Sequence, residues 1–495
     1  MSGAMIPEHP RGVWHGWSET VPWTGDPGAL FARLYGARAT AVWLDSARSA
    51  YGMGRWSIMG APETARDHVL SGGSGEAWVQ RVLPAQDDAA PAVAVARLRI
   101  GADIWDALAD RIEAHPVAAL GELPFAGGYI GYVGYDAKDI GRREPGAGAI
   151  AQLAHVSRFV AIDHERGELT AAAVGPADDE PSARAWIAEA LAAAAGAESA
   201  PPAPAAPAHP EPLPAARASV SRERYLADLA EVRRWLYAGD SYEACYTYNL
   251  RFGFDGDALA AYRRLREANP APNAAFLRLP GREVLSCSPE RYLRVDPEGW
   301  AETKPIKGTA RRHADAAVDA RAAADLAADA KTRAENLMIV DLLRNDLGRI
   351  SLPGTVEVPR FMAVESYETV HQLVTTVRAK LRPRGAVGVR AAQALFPPGS
   401  MTGAPKQRSV ELLDGCEAEP RGAYAGVLGL FSRHGAVDLS VVIRTAVIDG
   451  GEVSLGTGGA ITIDSDPVAE LEETIAKSDA VLAVFGVRHP LAGEG

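Results

Sequence analysis

Two hydrophobic rhythms run along this chain. In some segments apolar and polar residues alternate, which turns one face of a strand toward a core. In others apolar residues return every three or four positions, which lays a stripe along a helix. Alternation predicts strands over 246–254, 275–279, 284–288, 354–359, 373–380, 425–431, 437–448 and 452–456. The helical period predicts helices over 102–114, 182–196, 221–239, 258–269, 386–395, 404–413 and 467–484, and a long, mostly helical stretch over 314–347. Shorter apolar runs stand at 39–44 and 169–174. Strands and helices come in clusters and no repeat is present. The pattern predicts an α+β protein: large antiparallel or mixed β-sheets forming a β-sandwich core, with helices packed outside.

Local signals sharpen several ends. Ser221 suits an N-cap, but Arg224 stands where a capping box needs Glu or Gln; Glu223 still places negative charge in the first turn. Asp466 caps the last helix and Pro467 suits its first position. Leu337, Val340, Leu343 and Leu347 mark a buried stripe, and Leu347-Gly348 reads as that helix's end. The run 124–136 alternates glycines with aromatics, a pattern for closely approached backbone with flat side chains between elements.

The chain has 495 residues, enough for one very large core or two to three ordinary ones. A proline-rich stretch divides it into an N-terminal region, 12–195, a Pro/Ala-rich linker or loop, 196–218, and a C-terminal region, 219–488. Strands from both sides could still share one sheet. The net charge of -12 argues against a broad nucleic-acid surface, though a locally basic pocket for a small anion remains compatible. Cys245, Cys287 and Cys416 form neither a disulfide framework nor a zinc site. With no signal-peptide core and no apolar run of about 18 residues, a soluble, reduced, cytoplasmic protein without membrane contact is expected.

Candidate chemistry gathers at a few places. Lys307, in PIKGT, can anchor an anion by charge or, if desolvated, act as a nucleophile. Glu470 and Glu473 lie three apart on one helix face, with Lys477 four further on. They read either as a solvated acidic first turn or as oxygen ligands for Mg²⁺. Glu335 lies off its helix's apolar stripe and could face a second helix across a metal. Residues 398–406 and 456–460 could place backbone amides around an anion or could be tight turns. His371, between apolar residues, reads as a packing element or as a proton shuttle. No HExxH, cysteine pair, GxSxG, Walker A loop or dinucleotide fingerprint is present.

Seven segments, in order, resemble the chorismate-utilising enzyme family: SCSPERYL (286–293), PIKGTARR (305–312), RAENLMIVDLLRNDLGRI (333–350), ETVHQLV (368–374), FPPGSMTGAPK (396–406), VVIRTAV (441–447) and DPVAELEETIAK (466–477). LDSA (44–47), RWSIMG (55–60) and GGYIGYVGYD (127–136) extend the likeness to the amidotransferase-coupled branch. Within the family, PIKGT is the usual form in members that make 4-amino-4-deoxychorismate, whereas PIAGT is usual in anthranilate, isochorismate and salicylate synthases. Glu243, in SYEACYTYNL, also resembles the aminating type; close anthranilate relatives usually carry glutamine there and salicylate synthases lysine.

The resemblance implies a set of roles. Lys307 is the expected nucleophile and Glu290 the general acid/base near the leaving hydroxyl, with His371 steadying the ring region and Glu243 completing the catalytic set. Ser400, Tyr424, Arg444, Gly458, Gly459 and Lys477 are expected to line the chorismate site. Glu335, Glu470 and Glu473 are expected to hold Mg²⁺, some through water. Thr332 departs from the pattern, since many relatives carry Asp or Glu there. No glutaminase signature accompanies the three cysteines, so ammonia is expected from a separate glutamine amidotransferase subunit. The alternatives are an anthranilate synthase component, an isochorismate- or salicylate-type synthase, and a chorismate-binding regulatory relative without turnover.

Overall fold

The computed structural model describes residues 12–46, 51–73, 76–80, 97–100, 103–141, 150–197, 213–367 and 370–492. Most of the Pro/Ala-rich linker lies outside these residues, as do Ala47, Glu368 and Thr369. Within them, two large antiparallel sheets lie face to face. The first runs, strand by hydrogen-bonded strand, His15–Pro22, Glu168–Gly175, Arg158–Asp163, Trp56–Gly60, Ala41–Asp45, Asn273–Leu279, Arg282–Ser288, Thr445–Asp449, Glu452–Ile461, Glu243–Gly253 and Arg217–Ala218. The second runs Ile306–Arg311, Val370–Lys380, Trp300–Lys304, Arg291–Val295, Val437–Val441, Val427–Ser432, Gly128–Val133, Ala151–Val156, Val69–Gly73, Glu76–Gln80 and Arg97–Arg99. Each sheet takes strands from both sides of the proline-rich stretch.

Three apolar layers hold this arrangement. Between the sheets, Val42, Ile58 and Phe159 meet Ile130, Val156 and Leu428. Outside the first sheet, Tyr225, Leu229, Tyr262 and Leu482 bring in the helices Arg222–Ala238, Ala258–Ala268 and Pro467–Val484. Outside the second, Trp105, Leu108, Leu347 and Leu395 bring in Ile104–Ala114, Ala330–Ile350 and Val387–Leu395. The 3.6-residue period therefore located most helices, whereas the predicted strands cover fewer than half of those present, chiefly in the C-terminal region. Among the described residues no helix is long and apolar enough to cross a membrane.

Several boundaries differ from expectation. The stretch 314–347 is two helices, Ala316–Ala328 and Ala330–Ile350. Asp329 is extended between them, and its carboxylate accepts the Thr332 amide at 2.7 Å, a capping interaction that starts the second helix. That helix passes through Gly348 and stops at Ser351, where the backbone turns extended. Its apolar stripe is Ile339, Val340, Leu343 and Leu347, whereas Leu337 is exposed. The glycines of 456–460 are neither turn nor loop, because the strand Glu452–Ile461 carries them within its ladder to Glu243–Gly253.

The expected strand 437–448 is two strands in different sheets. Val437–Val441 belongs to the second and Thr445–Asp449 to the first. No Gly or Pro marks the break, because the joint is made by a left-handed residue of another type, Arg444 at φ 50°. A second crossing lies beside it, where Arg282–Ser288 of the first sheet leads through Pro289-Glu290 into Arg291–Val295 of the second. The two crossings bond to each other. The Val441 amide donates to the Glu290 carbonyl at 3.0 Å, the Ser288 hydroxyl donates to the Val441 carbonyl at 2.6 Å, and the Cys287 amide donates to the Arg444 carbonyl at 3.2 Å.

The glycine–aromatic run forms the buried strand Gly128–Val133, flanked by Ala151–Val156 and Val427–Ser432. At Gly131 a Cβ would stand 2.1 Å from the Gln152 carbonyl oxygen, so two backbones approach here as only glycine allows. Gly131→Ala should destabilise the fold by about 1–3 kcal/mol, as overpacking against rigid backbone does. Urea denaturation should show a lowered midpoint with little change in m-value.

Candidate active site

A cavity of about 800 Å³ opens beside the paired crossings. Each of its walls is set by a distinct element. The crossings contribute Glu290 and Arg444, the strand Ile306–Arg311 contributes Lys307, and the helix Ala330–Ile350 contributes Glu335 from its second turn. The helix Pro467–Val484 contributes Glu470, Glu473 and Lys477, which its 3.6-residue period places on one side. Ser400 comes from a short 3₁₀ turn, Gly399–Met401, and Tyr424 from the approach to Val427–Ser432. Gly458 and Gly459, without side chains, form part of the wall, and a Cβ on Gly459 would stand 3.3 Å from Glu470 Oε2. All the expected site residues except Glu243 and His371 line this space.

Glu243 lies just behind the wall and reaches it through Lys307. The Lys307 ammonium donates to Glu243 Oε1 at 2.5 Å, with both side chains buried. Burial disfavours the charged ammonium, but the carboxylates of Glu243 and Glu335 outweigh it and hold Lys307 above the ordinary lysine range. Glu243 Oε2 is buried and has no hydrogen-bond partner among the described residues. Such a pair keeps the amine charged at rest and places a proton acceptor against it.

Glu290 is in a different state. Burial pushes its carboxyl up to about 7, opposed in part by the Ser400 hydroxyl, which donates to Glu290 Oε1 at 2.7 Å. A carboxyl poised there can give up a proton near neutral pH. Arg444 carries a half-buried guanidinium into the cavity, and no carboxylate pairs with it among the described residues. Burial holds its basicity below the usual arginine value. An arginine without a protein counter-ion is a ready fork for a ligand carboxylate.

The acidic side is more fully paired. Burial pushes Glu335 up, partly opposed by Lys307. Glu470 Oε1 accepts from the Ser465 hydroxyl at 2.6 Å and from the Lys331 ammonium at 2.7 Å, and the same ammonium stands 3.7 Å from Glu335 Oε1. Glu473 meets Lys477 at 2.8 Å; burial would raise its carboxyl, but Lys477 prevails and lowers it. Lys477 also donates to the Gly458 carbonyl at 3.2 Å.

These carboxylates suit Mg²⁺. Glu335 and Glu470 already face one cationic group, and the donor set is all oxygen. Among the described residues no three His, Cys, Asp or Glu side chains converge closely enough to hold a metal ion by themselves. Mg²⁺ asks for none, since one or two carboxylates commonly hold it while waters and substrate oxygens fill the rest.

His371 is placed differently from the expectation that it steadies a ring. Its side chain is buried behind the wall, with Nδ1 2.8 Å from the Ser366 hydroxyl and Nε2 3.0 Å from Asp319 Oδ1. It pairs in register with Ala310, which lines the cavity. Thr332 lines the cavity where an acidic residue was expected and packs over Gly308. A Cβ on Gly308, which has φ 78°, would meet the Thr332 methyl at 2.3 Å. The hydrogen bond of Lys307 to Glu243 and the bridging position of Lys331 were not foreseen. A lysine four residues before Glu335 was the available sign of the second. The first joins residues 64 apart and left no local trace.

With this geometry in view, the relatives can be placed. The chorismate binding enzyme family matches residues 74–483. The aminodeoxychorismate synthase of Streptomyces pristinaespiralis is 40% identical over 478 residues, covering 94% of this chain and 64% of its own length. Aminodeoxychorismate synthase component 1 of Klebsiella aerogenes is 39% identical over 370 residues, covering 73% of this chain and 77% of its own. The crystal structure of anthranilate synthase component I from Streptococcus pneumoniae TIGR4 superposes with a TM-score of 0.69 at 26% identity, covering 88% of this chain and 93% of that one. The match spans 64% of the length of the Streptomyces pristinaespiralis relative and also of the Streptomyces griseus aminodeoxychorismate synthase. The chain belongs to the chorismate binding enzyme family.

Glu290 gives a pH signature. Its carboxyl sits at about 7 against an ordinary value of 4.5, so the folded protein prefers the neutral acid. That preference contributes stability fully below pH 4.5 and loses it as pH rises through about 7. Thermal unfolding of wild type and Glu290→Gln between these limits should show a difference that shifts in the variant's favour as pH rises and levels off above pH 7.

Proposed function

We propose that this chain converts chorismate and ammonia into 4-amino-4-deoxychorismate, as the synthase component of a glutamine-dependent pair. The observation that carries the reading is the 2.5 Å contact of Lys307 with Glu243 at the cavity wall. It supplies an amine able to attack and a carboxylate able to take its proton. The PIKGT context and the named aminodeoxychorismate synthase relatives support the same reading.

Arg444 receives a substrate carboxylate through its guanidinium fork, and Ser400 keeps the Glu290 carboxyl aimed at the ring. Glu243 accepts a proton from Lys307 as substrate excludes water. The neutral amine forms a bond to C2 of the ring, the double bonds shift, and the C4–oxygen bond breaks. Glu290 gives its proton to the departing hydroxyl, which leaves as water. Ammonia then bonds to C4, the double bonds shift back, and the C2–nitrogen bond breaks. Lys307 leaves as a neutral amine and recovers its proton from Glu243. Glu290 takes a proton from the incoming nitrogen. Glu335, Glu470 and Glu473 would hold Mg²⁺, some through water, and the ion would supply positive charge for the ring carboxylate. The enolpyruvyl ether stays attached throughout.

Ammonia comes from a separate glutamine amidotransferase, component II of the pair. The name component 1 borne by the Klebsiella relative fits that division of labour.

Incubation with chorismate, Mg²⁺ and ammonium should give a product whose mass shows hydroxyl replaced by amine with the enolpyruvyl group retained. Fluorescent anthranilate with free pyruvate would instead identify the competing chemistry. Lys307→Ala should lose at least about 10³-fold in turnover. Normal product formation by that variant would rule out the covalent step.

Glu243→Gln separates proton transfer from binding. It should lower kcat on the order of 10²-fold while leaving the KM for chorismate within a few-fold, since Glu243 lies behind the wall. Steady-state kinetics would check this, and a change in KM alone would contradict the assignment.

A further inference from the structure

Lys331 stands where a cation is wanted. Its ammonium lies 2.7 Å from Glu470 Oε1 and 3.7 Å from Glu335 Oε1, bridging two helices that meet at the cavity. The two carboxylates are nearly buried, with side chains 4% and 13% exposed, while the lysine side chain is 42% exposed. The acids are therefore fixed and the cation is on a flexible stem reaching in from solvent. Lys477 is not equivalent. It belongs to the same helix as its partner Glu473 and is tied to the Gly458 carbonyl.

From this geometry we infer that Lys331 is an internal counter-ion that holds Glu335 and Glu470 together in the cation-free protein and is displaced when a divalent cation binds. The inference rests on the proposed Mg²⁺ role of these glutamates and goes beyond it by making binding an exchange. Two carboxylates facing each other out of water repel unless a positive group lies between them. The ammonium meets that need. A divalent ion must break the ammonium's hydrogen bond to Glu470 before it can use the same oxygen. Lys331 can withdraw because its stem is half exposed, and Asp329 keeps the helix start in place as it does so. The affinity for the metal is thereby set lower than the carboxylates alone would give.

Calorimetric titration of MgCl₂ into the metal-free protein tests this without reference to turnover. Lys331→Gln removes the charge, keeps a hydrogen-bonding side chain, and should bind Mg²⁺ about tenfold more tightly than wild type, the worth of one charge-assisted hydrogen bond. Lys331→Arg keeps the charge and should stay within a few-fold of wild type. Metal-free melting should show Lys331→Gln less stable than wild type, with a larger gain on adding Mg²⁺. Binding to wild type that is unchanged or weaker in Lys331→Gln would overturn the counter-ion assignment and leave the Mg²⁺ site standing. Binding to neither protein, with chorismate present, would overturn both.

Discussion

The organising constraint is that the chain crosses from one sheet to the other twice at adjacent points and the two crossings are bonded together. A strand inside a sheet has its backbone polar groups consumed by its neighbours. At a crossing the ladder stops, and the freed groups must find other partners. Here they find each other, through the Val441 amide on the Glu290 carbonyl and the Cys287 amide on the Arg444 carbonyl. The cavity opens where the ladders are interrupted, and the residues at the two interruptions point chemistry into it. A sandwich with unbroken strands would bury these positions or expose them on an outer face.

Around that opening, charge is distributed unevenly. The amine of Lys307 is matched to Glu243, Glu473 to Lys477, and Glu470 to Lys331. Burial disfavours the ionised form of Glu290, and Arg444 has no acid of its own among the described residues. The unmatched positive group and the uncharged acid are the two places where a ligand has something to add. A dianion brings the missing negative charge to one and meets little repulsion from the other. The cavity is thus locally open to negative charge although the chain as a whole carries a net charge of -12.

Much of the fold could be read along the chain. Ser221, Asp466 and Pro467 start their helices as read, and Gly239 closes one at φ 78°. What escaped were features that depend on distant neighbours. The alternation through 437–448 is interrupted only by the apolar run Val441-Val442-Ile443, with no Gly or Pro, and the hydrogen bonds to 287–290 divide the segment between sheets there. The glycines at 456–460 look like a loop until a partner strand is known. The motifs that mark the expected site residues are dense and ordered along the chain, and eleven of those residues line one cavity. His371 lies outside the cavity lining, and a histidine between apolar residues reads alike whether it faces a ligand or the far side of a wall.

Arg444 has a thermodynamic consequence. A non-glycine residue held at φ 50° costs of order 1–3 kcal/mol, and its guanidinium recovers none of this from a protein acid among the described residues. Glycine would relieve the backbone at that joint but would remove the unpaired guanidinium from the cavity. Repeated selection of heat-resistant variants, blind to turnover, would therefore be drawn to this codon. The most durable forms of the protein would then be the ones whose cavity had lost its unpaired cation.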